Sequence, residues 1–151
     1  MSLDTILLAV GPTDSDRIDA LAQAVVEVAA PTGATVVLAH VFTSDEYAEV
    51  CDRLDFDQQR DDFHANDVAN HHATIRELEK ALDEHDVSYD IRGAVGDHGE
   101  TIVDLAETTD ADRVVVGGRK RSPAGKAVFG STAQDILLSS PAPVTFVRND
   151  S

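Results

Sequence analysis

The side chains best placed to do chemistry cluster in residues 118–129 (GRKRSPAGKAVF). Arg119, Lys120, Arg121 and Lys126 fall within eight positions, yet the whole chain has only 12 basic residues against 28 acidic ones. On such a chain, local crowding of cations marks a site for an anion. The flanks agree with that chemistry. Gly117 and Gly118 let a backbone approach a ligand closely. Gly130, Ser131 and Thr132 open a helical segment, whose free N–H groups and positive dipole end favour phosphate or carboxylate. The competing reading is a solvated basic loop that balances an acidic surface.

Neighbouring motifs narrow the chemistry. A P-loop ending at Gly125-Lys126 would need glycine where Lys120 stands and Ser or Thr where Ala127 stands. No G-x-G-x-x-G follows the first apolar run, which argues against a dinucleotide fold. Ser131 lacks the G-x-S-x-G elbow of a hydrolase, so capping or ligand contact is its expected role. His64, Asp67 and His71 have the spacing to share a helix face and hold a metal, but solvated polar residues on an acidic helix explain them equally simply. His40 lies inside an apolar run and reads as a satisfied core or pocket-edge histidine. Asp97-His98 is either a simple turn or part of a pocket rim. Cys51 reads as inert. Catalysis of phosphoryl transfer needs a placed metal ligand and a base, and the basic stretch contains no carboxylate. The chain therefore reads as a binding protein, with a phosphoryl reaction as the competing enzymatic class.

The elements that must position these residues follow from periodicity. Residues 3–10 and 34–42 (ATVVLAHVF) are near-continuous apolar runs, the signature of buried parallel strands. Between them Ile18, Leu21, Ala22, Val25, Val26 and Ala29 recur at helical spacing, and Pro31-Thr32-Gly33 ends that helix. Short helical pieces and a mobile connection are expected over residues 43–65. A helix over residues 66–85 carries the stripe Val68, His72, Ile75, Leu78 and Leu82. Residues 87–95 alternate as a strand, residues 96–99 turn, and residues 100–108 form a short helix with Ile102, Val103, Leu105 and Ala106 inward. Residues 113–117, 131–139 and 143–148 complete the pattern as strand, helix and strand. Alternating strands and helices predict a parallel sheet with right-handed crossovers. In such sheets ligands bind beyond the carboxyl ends of the strands where strand order reverses, and the first and fourth strands are the natural pair there.

Bulk composition bounds the rest. One domain spans residues 1–151, and a chain of this size buries roughly 68–70% of its unfolded surface, enough for a core without staples. A single cysteine excludes an internal disulfide and fits a reducing, cytoplasmic setting. No apolar run approaches the roughly 20 residues of a membrane span, and no basic leader opens the chain. The net charge of −16 argues against nucleic-acid and anionic-membrane partners. Acid excess with only three lysines predicts a halophilic surface, adapted to screening by salt.

Three segments give the chain a family resemblance over nearly its whole length: TILLAV, VVLAHVF and VVVGGRKRSPAGKAVFGSTAQDILLSSPAPVTFVR. They resemble the universal stress protein family, here of a haloarchaeal type. The resemblance implies a doubly wound, three-layer α/β/α fold with strand order 3-2-1-4-5, like that of the adenine nucleotide alpha hydrolases. It implies a stress-response module that binds ATP or AMP, with Mg²⁺ if ATP, and that pairs as a homodimer through the strand at residues 143–148. Nucleotide-binding members carry glycine, two residues, glycine, nine residues, glycine, then Ser or Thr. Gly117 and Gly130-Ser131 fill the outer positions, but Lys120 replaces the middle glycine. The aspartate that usually ends the first strand is Gly11 here, which removes a polar partner for ribose or metal. Carried over by position, the nucleotide-binding residues are Val10, Gly11, Val41, Val116, Gly117, Gly130, Ser131 and Thr132. Lys120, Arg121 and Lys126 join them on charge alone. The alternatives are a structural or regulatory dimer without nucleotide and a slow ATPase.

Overall fold

The computed structural model describes residues 3–10, 18–53, 73–118 and 131–148. Its elements are β1 (Thr5–Val10), α1 (Ile18–Thr32), β2 (Thr35–Phe42), α2 (Ser44–Arg53), α3 (Ala73–Glu84), β3 (Tyr89–Val95), α4 (His98–Thr108), β4 (Arg113–Gly118), α5 (Ser131–Ser139) and β5 (Val144–Arg148). The strands form one parallel sheet in the order β3-β2-β1-β4-β5.

The apolar runs behave as their composition requires. β1 and β2 are central and covered on both faces, so nearly every side chain in them is buried. Alternation then sorts those side chains into two layers. Ile6, Leu8, Val36 and Leu38 pack against Leu21 and Val25 of α1 and Ile75, Leu78 and Leu82 of α3. Leu7, Ala9, Val41, Val114 and Val116 pack against Ile102 and Ala106 of α4 and Ala133 and Ile136 of α5. Burying a large aliphatic side chain contributes roughly 1.5–3 kcal/mol, so these two layers carry most of the driving force for folding. β3 lies at an edge and shows the expected half-buried alternation.

Several expected boundaries move for identifiable reasons. α1 runs through Pro31 to Thr32 and stops at Gly33, whose φ of +73° lets the chain leave the helix. α4 starts at His98, two residues before the expected start. Asp97 is its N-cap, accepting a hydrogen bond from the Glu100 N–H at 3.1 Å, so only Gly96 and Asp97 turn the chain. Within α4, Ile102 and Ala106 are buried as expected, while Val103 and Leu105 are half-buried. The expected helix over 66–85 is described from Ala73, with Val68 and His72 outside the described residues. Asp112 ties the amino ends of β1 and β4 together. Its carboxylate accepts hydrogen bonds from the N–H groups of Asp4 (2.8 Å) and Thr5 (3.0 Å).

Candidate functional site

Strand order reverses between β1 and β4, where β2 leaves to one side of β1 and β5 lies beyond β4. Ala9 stands opposite both Ala39 and Val116, and Val10 stands opposite His40. The carboxyl ends of β1, β2 and β4 therefore lie side by side. They bring Val10, Val41, Val116 and Gly117 into one neighbourhood. The side chains divide by face: Val10 belongs to the layer under α1 and α3, whereas Val41 and Val116 belong to the layer under α4 and α5. All three valines are buried, so their backbone groups rather than their side chains would meet a ligand.

α5 is described from Ser131, and the residues before it lie outside the described part of the chain. Ala133, the third residue of that helix, packs in the same layer as Val116. The first turn of α5 thus lies on the face reached by the end of β4. Gly11, Lys120, Arg121, Lys126 and Gly130 lie outside the described residues, as do His64, Asp67 and His71. Among the described residues no group of three His, Cys, Asp or Glu side chains is placed to hold a metal ion. No described helix is long and apolar enough to cross a membrane.

His40 is a satisfied buried histidine. Its Nδ1 donates to the Val10 carbonyl oxygen at 2.7 Å, and its ring meets Phe42 edge-on with centroids 4.5 Å apart. Phe42 in turn meets Tyr47 of α2 at 5.7 Å. Cys51, on the same helix, is fully buried, and burial is the main cause that raises its thiol pKa. The Tyr47 hydroxyl works in the opposite direction, and the charge of Asp52 adds to the rise. A buried, protonated thiol is unreactive, which agrees with the inert reading.

Asp97 and His98 resolve into two separate roles. Asp97 caps α4, while His98 Nε2 donates to Glu46 Oε1 at 2.8 Å, across 52 positions of sequence. Glu46 also completes a reciprocal cap on α2: its Oε1 accepts the Thr43 N–H at 2.8 Å, and its own N–H donates to Thr43 Oγ1 at 3.2 Å. Sequence reasoning passed over Glu46, although Thr43-Ser44-Asp45-Glu46 has the T-x-x-E form of a capping box. Partial burial pushes the Glu46 carboxyl up. The Thr43 N–H, the hydrogen bond from His98 and the His98 charge outweigh it and leave the group below its ordinary range.

A groove of about 410 Å³ runs between α4 and α5, with Asp97, Glu100, Asp104 and Asp135 in its walls. Four carboxylates repel a phosphate, so this groove does not suit a nucleotide.

Comparison with known proteins agrees with the topology. The sequence pattern of the universal stress protein family matches residues 2–148. A universal stress protein of Mycolicibacterium smegmatis is 37% identical over 75 residues, covering 49% of this chain and 58% of that protein. The stress response protein NhaX of Bacillus subtilis is 32% identical over 74 residues, covering 49% of this chain and 45% of that protein. The matching segment thus spans about half the length of these curated relatives. Among solved structures, a universal stress protein from Archaeoglobus fulgidus superposes with a TM-score of 0.70 at 24% identity, covering 95% of this chain and 98% of that one. The A. fulgidus protein in complex with dAMP gives 0.66 at 21% identity, covering 97% and 99%. A family member from Arabidopsis thaliana with AMP bound gives 0.65 at 14% identity, covering 98% and 93%. At these identities the structural likeness establishes the shared fold, a five-stranded parallel sheet of order 3-2-1-4-5 with helices on both faces. The match over residues 2–148 establishes the family: this chain belongs to the universal stress proteins.

Proposed function

We propose that this chain is a cytoplasmic stress-response module that binds an adenine nucleotide, or a similar small anion, beyond the carboxyl ends of β1 and β4. The observation that carries this reading is the reversal of strand order between those strands, with Ala133 of α5 in the same core layer as Val116. Family members of the same fold bound to dAMP and AMP support the ligand class. In this reading Val10, Gly11 and Val41 offer backbone to the base. Val116, Gly117, Gly130, Ser131 and Thr132 meet ribose and phosphate, and Lys120, Arg121 and Lys126 supply positive charge. Lys120, standing where nucleotide-binding relatives have glycine, crowds a triphosphate more than a monophosphate. The aspartate missing at Gly11 removes a ligand for the Mg²⁺ that accompanies ATP.

Titration calorimetry with AMP, and with ATP with and without Mg²⁺, in molar KCl tests the proposal. AMP is expected to bind, and Lys126→Ala to weaken it. Absence of heat with every nucleotide rejects the nucleotide reading. Release of phosphate from labelled ATP above background would move the protein into the enzymatic class instead.

A homodimer through residues 143–148 is a second part of the reading. β5 is an edge strand, and in α5 Leu138 is 78% exposed and Leu137 40% exposed. An edge strand and exposed leucines on a nearby part of the chain both favour pairing with a second copy. Light scattering in molar salt should give twice the 16.1 kDa chain mass, and a monomer mass rejects pairing.

A further inference from the structure

Among the described side chains of α2 only Cys51 is fully buried, with Tyr47 and Ala48 half-buried, while Ser44, Asp45, Glu49 and Asp52 face solvent. None of the described side chains of α2 belongs to either core layer, and an element outside the core opens at lower free-energy cost than the core itself. A hydrogen bond that reaches α2 from another element therefore contributes directly to whether the helix stays docked. Such a bond runs from His98 Nε2 to Glu46 Oε1, between the first turns of α2 and α4. It falls on the oxygen that also caps Thr43, so loss of His98 loosens the start of α2 rather than only one side chain.

The same helix connects to the end of β1. Tyr47 meets Phe42 edge-on, Phe42 meets His40 edge-on, and His40 Nδ1 holds the Val10 carbonyl. Phe42 also accepts the Gly96 N–H through its carbonyl at 2.8 Å, two residues before His98. The contacts form a closed corner that runs from the end of β3 through α2 to Val10.

We infer that the Glu46–His98 pair is a latch that keeps α2 docked, and that His98 is a positioning residue for the ligand crevice at the end of β1. The crevice half of this inference rests on the nucleotide reading; the latch half does not. By linkage, a ligand that orders the end of β1 stabilises the docked helix, and a docked helix binds that ligand more tightly.

Cys51 gives a direct readout, because it is the chain's only cysteine and it is buried in α2. Its labelling by N-ethylmaleimide in the intact protein tracks opening of that helix. In the absence of nucleotide, His98→Ala should label about five- to tenfold faster than wild type, as expected for loss of one partly exposed, charge-assisted hydrogen bond. His98→Gln, which can still donate to Glu46, should restore most of the protection. The urea midpoint should shift little, since the latch lies outside both core layers. Adding AMP should slow labelling of wild type more than that of His98→Ala.

Equal labelling of wild type and His98→Ala overturns the latch. So does a further acceleration when His98→Ala is added to Glu46→Ala, since one bond cannot be lost twice. If calorimetry shows AMP bound but wild-type labelling is unchanged, the link to the crevice fails. If AMP does not bind at all, the nucleotide reading fails, and the ligand-free rates still decide the latch.

Discussion

His40 Nδ1 lies 2.7 Å from the carbonyl oxygen of Val10, its register partner on the neighbouring strand. A carbonyl only accepts, so Nδ1 must carry the hydrogen. The contact satisfies the last described carbonyl of β1 with a side chain that is itself buried. His40→Ala should cost about 2–4 kcal/mol, combining a buried carbonyl left without its partner and an unfilled hole beside Phe42. Urea unfolding measures it, and a loss under about 0.5 kcal/mol would show that water replaces the ring freely.

Gly99 permits the close approach of α4 to α5. A Cβ added there would stand 2.7 Å from Asp135 Cβ. That atom is fixed to its helix backbone, so the two helices would have to separate. Gly99→Ala should destabilise by about 1–3 kcal/mol, and Asp135→Gly in the same chain should recover part of it. Gly96→Ala is the control. Its Cβ meets only the Thr101 hydroxyl, which can rotate away, so its cost should be smaller. Equal costs at the two sites would refute this account.

Glu46 predicts how α2 responds to acid. Partial burial raises its pKa, but the Thr43 N–H and His98 together hold it below the ordinary value of 4.5. The folded state thus favours the ionised form. Its contribution is complete above about pH 4.5 and fades as pH falls through the lowered value. Amide exchange in α2, corrected for its intrinsic pH dependence, should speed up over that acid range. Glu46→Gln should abolish the change, and a wild-type response centred above pH 6 would contradict the assignment to Glu46.

The net charge of −16 predicts a strong response to salt. Like charges on a compact chain repel, and screening shortens their reach from about 10 Å at 0.1 M to about 3 Å at 1 M. The thermal midpoint should climb steadily from low-salt buffer to molar KCl. A midpoint indifferent to salt would mean that the acidic residues are spaced too widely to interact.

Much of the architecture is legible in short stretches of chain. ILLAV and VVLAHV are apolar without interruption because both faces of β1 and β2 are covered, and that pattern already implies a central parallel position. The helix over residues 131–139 is equally local, as is the place where strand order reverses once the family resemblance is admitted. Asp97 as a cap and Thr43–Glu46 as a capping box were present in the residues, but competing turn signals hid them. The pairings were not legible. Nothing near His98 names Glu46, nothing near His40 names the Val10 carbonyl, and nothing near Gly99 names Asp135. Periodicity reports the environment of each segment separately, because apolar side chains need only some partner. A hydrogen bond or a helix contact of a few ångströms needs one particular partner, and only the path of the chain through three dimensions supplies it.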